Sequence, residues 1–340
     1  MHPSAIEQGH RTSSQPVDAP NEPFAILLER KLTSQTRWNM LFSLLLTLEI
    51  AFLAIFFPFF IQSALFAFMI ALLVMTLFGY LMFRQYSVSE KRDYFERVLD
   101  EWIEAEKKRG KYAEGQPEAH LRISKLCSDL ADALYQKEYR CLKLPKMFNF
   151  MRSPLQNLSC LLYWRDIYFV RELLLEKAVE EHLFLVRIHP ANLDAHTFLA
   201  NAYIMLSGLY AIPENQERDH YIPKDRYGPE VEKKFHETAK RAIEEFTILK
   251  EYAPKDPWIY SQLAFSYRDL KMPEEEKKAY EALLELKPND YETLYKLGSL
   301  YFKQGENAKG LKVYDELKKA HFSKANELLT IYGSKHESSF

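Results

Sequence analysis

The chain has 340 residues, of which 47% are hydrophobic and 27% charged, and its formal net charge is −2 at pH 7. A charge this close to zero creates no broad positive field, so we expect no nucleic-acid partner. The three cysteines, Cys127, Cys141 and Cys160, are irregularly spaced. This spacing excludes a disulfide framework or a zinc motif and favours a reducing compartment.

Residues 1–37 are predicted to form a disordered, basic tail on the cytoplasmic side. Residues 1–25 are rich in Ser, Pro and Gln and carry few large apolar side chains. Such a segment cannot bury enough apolar surface to offset the loss of chain entropy on folding. Arg30, Lys31 and Arg37 lie just before a long apolar stretch.

Residues 38–83 are predicted to form a transmembrane hairpin. Glu49 is the only formally charged residue in this stretch, which is about twice as long as the roughly 20 residues that one helical pass needs. We place the two passes at Trp38–Ile61 and Ala64–Phe83. Gln62-Ser63 forms the turn in this interpretation, because the two passes then have similar lengths.

The orientation of the hairpin follows from the charges on its flanks. Basic residues also follow it, at Arg84, Lys91 and Arg92. Because Lys and Arg remain on the cytoplasmic side, we expect an integral membrane protein with two passes and both termini in the cytoplasm. Pro58 is either a kink in the first pass or an alternative turn. A signal peptide is excluded, because the apolar stretch is too long and follows a polar tail.

Glu49 is a carboxyl group within the first predicted pass, where a charge is unfavourable and often functional. Three interpretations remain open from the sequence. The carboxyl group hydrogen-bonds locally at a shallow position, it contacts a second copy of the chain, or it takes part in proton or ion transport. A single acid with no basic partner in either pass disfavours transport.

Residues 87–189 are predicted to be a helical connector, which we assign to no family. Ser87-Val88-Ser89-Glu90 has the pattern of a capping box and predicts the start of a helix. The segment Lys143–Arg152 mixes basic, apolar and aromatic residues, which is typical either of a buried connector or of a segment on an anionic membrane surface. Ala178 and Leu185 precede Pro190 in the register of a repeat, which leaves room for a degenerate repeat here.

Two later segments, Pro257–Asp290 and Tyr291–Lys324, repeat one another with a period of 34 residues. The matching positions are Leu263-Ala264-x-x-Tyr267 with Leu297-Gly298-x-x-Tyr301, Tyr280 with Tyr314, and Leu283 with Leu317. A fixed period of this length is typical of stacked helical repeats, in which each unit buries its apolar face against its neighbours. We place the small residues Ala264 and Gly298 where the two helices of a repeat cross.

A third copy precedes these two and is interrupted. Leu199-Ala200-x-x-Tyr203 has the first-helix pattern, and Phe246 lies in the second helix. We predict an insertion over residues 207–229 that either contacts a partner or packs as a structural loop. Ala325–Tyr332 is predicted to be a capping helix on the exposed end of the stack. The repeat region is therefore residues 190–340.

The residues above and their helix–turn–helix period resemble the tetratricopeptide repeat (TPR). The fold class implied is all-α: a two-helix transmembrane hairpin, further helical segments and a C-terminal TPR-type α-solenoid. In such a solenoid the first helices line a groove that holds an extended peptide or a helix. The groove residues implied for this chain are Asn201, Trp258, Ser261, Phe265, Arg268, Tyr295, Lys296, Ser299 and Phe302.

The resemblance also bears on the type of ligand. Chaperone-binding members hold a terminal carboxylate with a lysine–asparagine clamp, but this chain has Thr197 at the lysine position beside Asn201. We therefore expect, instead of a clamp, a strip of aromatic side chains with bases nearby, suited to an amphipathic segment with acidic flanks. The alternative is that part of this set packs against the capping helix or the insertion.

These patterns predict a non-enzymatic protein–protein interaction scaffold, anchored in a membrane and exposed to the cytoplasm. The alternatives are a receptor or chaperone that delivers client proteins to a membrane machine, or an accessory subunit of an enzyme complex. The expected partners are a protein in the groove and the lipid bilayer around the hairpin, with no small-molecule substrate. We expect no catalytic, cofactor-binding or metal-binding residues. His182, His189 and His196 are evenly spaced, but Pro190 interrupts the helix between them.

Overall fold

The computed structural model describes residues 37–38, 41–55, 64–110, 116–141, 152–212 and 227–337. These residues form helices joined by turns and contain no β-strand, which confirms the all-α class. The chain divides into two compact units, one within Pro16–Leu174 and the other comprising Leu175–Phe340.

The N-terminal unit begins with two apolar helices, α1 (Leu41–Ile55) and α2 (Ala64–Arg109). Three contacts join α2 to α1 and to Trp38, which precedes α1. The ring centroids of Trp38 and Phe83 lie 5.7 Å apart, and those of Phe42 and Tyr80 lie 5.5 Å apart. The hydroxyl of Thr76 donates to Glu49 Oε1 at 2.8 Å. Later residues on the α1 side contact earlier residues of α2, so the two helices are antiparallel. The predicted turn at Gln62-Ser63, and Pro58, lie outside the described residues.

One stretch of the described chain, Leu65–Phe83 in α2, is long and apolar enough to cross a membrane, and none of it is buried. The described part of α1, Leu41–Ile55, is apolar as well but has fewer residues than a full pass needs. By length and composition, the structure therefore contains one candidate membrane span among the described residues rather than the two that were predicted. The two-pass arrangement remains a proposal.

Helix α2 corrects the predicted start of a helix at Ser87. The helix is continuous from Ala64 to Arg109 and passes through residues 87–90 without a break. The sequence around this point contains no Gly or Pro that would end the helix. A capping-box pattern stabilises a helix start where one exists, but it does not by itself interrupt a helix that is already formed.

Three helices form the core of the N-terminal unit: α2, α3 (Pro117–Ala133) and α4 (Arg152–Ile188), with a short 3₁₀ helix at Lys137–Arg140. Each contributes buried side chains at helical spacing: Phe95, Leu99, Trp102 and Ile103 from α2, Ile123, Leu126, Cys127 and Leu130 from α3, and Cys160, Tyr163, Ile167 and Val170 from α4. Two of the three cysteines are thus core residues, since Cys127 and Cys160 are fully buried.

The degenerate repeat considered for the connector is not formed as a helix pair. Ala178 and Leu185 are buried, as expected of repeat positions. They belong to α4, however, which is one helix of 37 residues with no turn between a first and a second helix. No Gly or Pro interrupts the sequence from Leu155 to His189, so nothing in it ends the helix before Pro190.

The C-terminal unit is a series of helical hairpins. Helices α5 (Leu193–Tyr210) and α6 (Pro229–Tyr252) pair first, then α7 (Pro257–Asp269) with α8 (Pro273–Leu286), and α9 (Tyr291–Gln304) with α10 (Asn307–Lys319). Each pair also contacts the next, through α6 with α7 and α8 with α9. The helices of the last two pairs begin 34 residues apart, which confirms the period predicted from the sequence.

The starts and turns of these helices follow the same period. Asn192, Asp256 and Asp290 cap the first helices, each accepting a backbone N–H with its side chain. Between the first and second helices, Lys271 and Gly305 adopt left-handed conformations, with φ of 54° and 84°. This conformation lets the last carbonyls of the first helix be satisfied before the chain reverses.

The insertion in the first pair differs from a compact loop over residues 207–229. Residues Ser207–Tyr210 belong to α5, and α6 begins at Pro229. Much of the extra length therefore extends the two helices, which have 18 and 24 residues against 13 and 14 in the next pair. Residues 213–226 lie outside the described residues.

The predicted capping helix is present as α11 (Glu327–Glu337). It contacts both helices of the last pair, α9 and α10. Ala325 and Leu328 are buried against the stack, so the apolar end of the last hairpin is covered, as a stack of repeats requires.

Candidate protein-binding surface

Helices α7 and α9 carry most of the predicted groove residues, and only some of these are accessible. Trp258, in the first turn of α7, is the most accessible aromatic residue of the set at 38% exposure. Its ring meets the buried ring of Phe246 edge to face, with centroids 5.6 Å apart. Asp256 caps the helix and accepts the backbone N–H of Trp258 at 2.9 Å. The indole is therefore held in place while part of it faces solvent.

Two cations converge over the ring of Phe265, which is itself buried. The Arg268 guanidinium carbon lies 5.3 Å from the ring centroid, and Lys296 Nζ lies 4.7 Å from it. Both distances are within the range of cation–π attraction. Arg268 belongs to α7 and Lys296 to α9, so this cluster, which we name the basic patch, joins two successive repeats.

Lys296 is surrounded by charges of both signs but has no direct ion pair within the described part of the chain. Burial lowers the pKa of the Lys296 ammonium, while the negative charges of Glu292 and Asp290 oppose this decrease and the positive charge of Arg268 adds to it. Among the described residues, Lys296 makes no ion pair within 4.0 Å, and Arg268 has a long contact of 3.4 Å with Asp269. An additional anion above the Phe265 ring would therefore be stabilised by both cations.

A buried carboxyl group lies beneath this surface. Glu276 of α8 is almost completely buried. Burial raises the pKa of its carboxyl group, while the positive charges of Arg268 and Lys303 oppose the increase. Arg268 therefore interacts with the Phe265 ring and with two carboxyl groups, those of Asp269 and the buried Glu276.

Sequence reasoning missed the link between Arg268 and Glu276, although the repeat period contains it. The equivalent positions 34 residues later are Phe302 and Gly310. There the Phe302 ring packs directly on the glycine: a β-carbon at Gly310 would lie 2.6 Å from the ring. A charged pair in one repeat thus occupies the positions of an aromatic–glycine contact in the next, and comparing the repeats pair by pair would have found it.

The aromatic strip expected along the groove is not continuous. Phe302 is only 1% exposed, and its ring lies 5.3 Å from that of Tyr332 in the capping helix. Tyr295 donates its hydroxyl to Glu327 at 3.1 Å, and its ring meets that of Phe322 at 6.2 Å. The capping segment therefore covers this end, as in the alternative noted above, and Phe302 offers no surface to a partner in this arrangement.

The polar members of the predicted set have smaller roles in the described structure. The hydroxyl of Ser299 donates to the carbonyl of Tyr295 within α9 at 3.0 Å. Asn201 on α5 and Ser261 on α7 are half-buried. Trp258 and the basic patch are therefore the part of the set that combines an accessible aromatic ring with two cations.

The three evenly spaced histidines have separate environments, in agreement with the helix break at Pro190. His182 stacks on Phe198 at 5.8 Å, and burial lowers its pKa to about 4. His196 is buried between Glu245, 2.6 Å from Nδ1, and the Pro190 carbonyl, 3.0 Å from Nε2. Burial by itself lowers the pKa of His196, but these two hydrogen bonds outweigh it and the pKa is raised. The described residues contain no group of side chains that could hold a metal ion.

Glu49 is buried between the two apolar helices. One carboxylate oxygen accepts the Thr76 hydroxyl, and the other has no hydrogen-bond partner among the described residues. The hydrogen bond with Thr76 joins two helices and is therefore not the local bond considered from the sequence.

No protein-family model and no curated protein matches the sequence. The crystal structure of a thermophilic TPR protein from Thermus thermophilus matches 62% of this chain and 97% of that chain, with 18% identity and a TM-score of 0.31. A TM-score this low supports no assignment by superposition. The spacing, pairing and order of helices α5 to α11 are what give the C-terminal unit a TPR-like helical-repeat fold.

Proposed function

We propose that this protein is a membrane-anchored, non-enzymatic scaffold that binds a protein partner through Trp258 and the basic patch. The observation that carries the proposal is the pair of cations over the Phe265 ring. Arg268 and Lys296 lie within 5.3 Å of one aromatic ring, and Lys296 makes no ion pair among the described residues. Such a surface suits an amphipathic segment that places a carboxylate over the ring and an apolar side chain against Trp258.

The membrane part of the proposal is supported by the outward-facing apolar side chains of α1 and α2. Most large side chains of α1 and of the Leu65–Phe83 stretch of α2 are exposed, as lipid-facing residues are in the absence of a bilayer. The antiparallel contacts from Trp38–Phe83 to Glu49–Thr76 suit a hairpin. Because Arg37 and Arg84 flank the two open ends, the positive-inside rule favours both termini in the cytoplasm.

The topology is tested with peptide tags at residues 5 and 335 of the full chain in sealed vesicles of known orientation. Two passes predict equal protease accessibility of the two tags, both from the cytoplasmic side. Opposite accessibility would show a single pass, in which case α1 does not cross the membrane. Release of the protein by alkaline carbonate would show that neither helix does.

The partner surface is tested by photo-crosslinking from position 258 in cells. We expect a crosslinked partner whose yield falls on Lys296→Gln and at high salt, because the contact depends on a screened charge. Lys312→Gln is the matched control, since Lys312 is an exposed lysine on α10. If the crosslinking yield falls equally with both variants, or is unchanged by both, the partner does not bind at the basic patch.

A further inference from the structure

Helix α4 exposes three leucines in its first turns that nothing in the described structure covers. Leu158, Leu161 and Leu162 are 46%, 53% and 44% exposed. They share one helix face, because their spacing is three and four residues. The opposite face, with Ser159, Cys160 and Tyr163, is buried in the bundle. We name the three exposed residues the leucine face.

Contacts between α4 and α2 show that the two helices run parallel. Lys91 Nζ donates to Asp166 Oδ2 at 2.6 Å, and the Phe95 and Phe169 ring centroids lie 6.5 Å apart. The segment from α3 to the 3₁₀ helix runs in the opposite direction to α4, because Arg171 donates to the Ala131 carbonyl of α3 while Ser159 donates to the Glu138 carbonyl of the 3₁₀ helix.

The register places the leucine face at the end of the apolar span. Leu158 lies eight residues before Asp166, and Phe83 lies eight residues before Lys91. Parallel helices rise by the same distance per residue, so Leu158 is level with Phe83, the last residue of the span. Leu161 and Leu162 lie about 5 Å beyond that level, by the rise of about 1.5 Å per residue.

The same face becomes charged one turn further on. Arg165 is exposed and lies three and four residues after Leu162 and Leu161. At a distance from the span the face is thus polar, and at the level of the span it is apolar. The polarity changes where a bilayer surface would lie, whereas a protein-covered face has no reason to change at that level.

We propose that the leucine face inserts into the interface of the bilayer that holds α2, and so forms a further membrane contact of the chain. This inference depends on the membrane anchoring proposed above. With α2 and α4 both in the membrane, the three-helix bundle has a fixed tilt rather than free rotation about one helix.

The test uses the full chain in liposomes with single fluorescent labels. The background variant is Cys141→Ser, since Cys127 and Cys160 are fully buried and Cys141 is half-buried. Leu158→Cys and Leu161→Cys are each labelled with an environment-sensitive dye. Quenching by brominated lipid in the bilayer and by iodide in the water is then measured for each label.

Two matched labels calibrate the result. Met82→Cys, exposed at the end of the span, reports lipid, and Arg165→Cys, on the same α4 face one turn further on, reports water. We expect the labels at 158 and 161 to lose emission with brominated lipid as the label at 82 does, and to resist iodide, unlike the label at 165. Two positions keep the test valid if one variant fails to fold.

Each other outcome has one meaning. If 158 and 161 respond to iodide while 82 responds to lipid, the leucine face lies in water, and the inference is wrong although the anchor stands. If 158 and 161 respond to neither quencher, protein covers the face, such as a second copy of the chain, and the inference is again wrong. If 82 also responds to iodide, the proposed membrane anchor itself fails.

Discussion

A side chain at Gly298 should destabilise the end of the repeat stack. Gly298 lies in α9 where the helix crosses its partner, as predicted from the sequence. A β-carbon built on it would lie 2.7 Å from Val313 Cγ1 and 3.2 Å from Leu328 Cδ1. The first distance is shorter than real β-carbon contacts allow, so the Val313 side chain or α10 itself must shift, and the Leu328 side chain of the capping segment must also give way.

The expected magnitude depends on two opposing effects. Overpacking a well-packed site is unfavourable by about 1–3 kcal/mol, while replacing Gly by Ala within a helix is favourable by about 1 kcal/mol. Gly298→Ala should therefore lower the local free energy of unfolding by about 0–2 kcal/mol. Gly298→Leu adds three more carbons to the same space and should lower it by about 3 kcal/mol or more.

Hydrogen exchange of peptides from α9 and α10 in the intact protein measures this local free energy. Gly333→Ala is the matched control, because a β-carbon at this helical glycine has no atom within 4 Å, and it should stabilise its own helix slightly. The double variant Gly298→Ala/Val313→Ala should be about 1 kcal/mol more stable than the sum of the two single changes predicts, because Val313→Ala removes the methyl group that the new β-carbon would meet. Protection of α9 unchanged by Gly298→Leu would refute the crossing geometry described here.

Three further variants test the electrostatics and turns of the C-terminal unit by the same exchange measurement. As the pH falls from 6.5 to 4, the wild-type protein should lose up to about 3 kcal/mol of stability, because His182 binds a proton in the unfolded chain but not in the folded one, where it stacks on Phe198. His182→Phe should abolish this loss, and a pH profile equal to that of the wild type would contradict the reasoning. Arg268→Ala should lower stability by about 1–2 kcal/mol, and adding Glu276→Gln should restore most of it, because the buried charge is then removed; failure of the second change to help would show that the two charges are not coupled. Lys271→Gly should raise stability by up to about 1 kcal/mol, because the residue has a left-handed conformation; a loss would mean that the lysine side chain stabilises the turn.

Elements defined by local patterns were predicted well, and those defined by packing between distant segments were not. The 34-residue spacing of α7 and α9 was predicted from two short patterns, Leu263-Ala264-x-x-Tyr267 and Leu297-Gly298-x-x-Tyr301, each of which lies within about one turn of a helix. The continuity of α2 through Ser87 was not predicted, since the residues of a capping box can also lie in the interior of a helix. The sequence left open whether Phe302 faces a partner or the capping helix, because only the contact with Tyr332 of α11 distinguishes it from the exposed Trp258.

The sequence by itself determined that the chain has an apolar part and a repeat part, since composition and a 34-residue period need no knowledge of contacts. It also identified Gly298 as the small residue at a crossing between two helices. The tertiary structure decided which repeat positions stay accessible, how Arg268 and Lys296 come together over Phe265, and that α4 runs parallel to α2. These are relations between residues far apart in sequence, and they are set by side-chain packing and helix register, which no local pattern encodes.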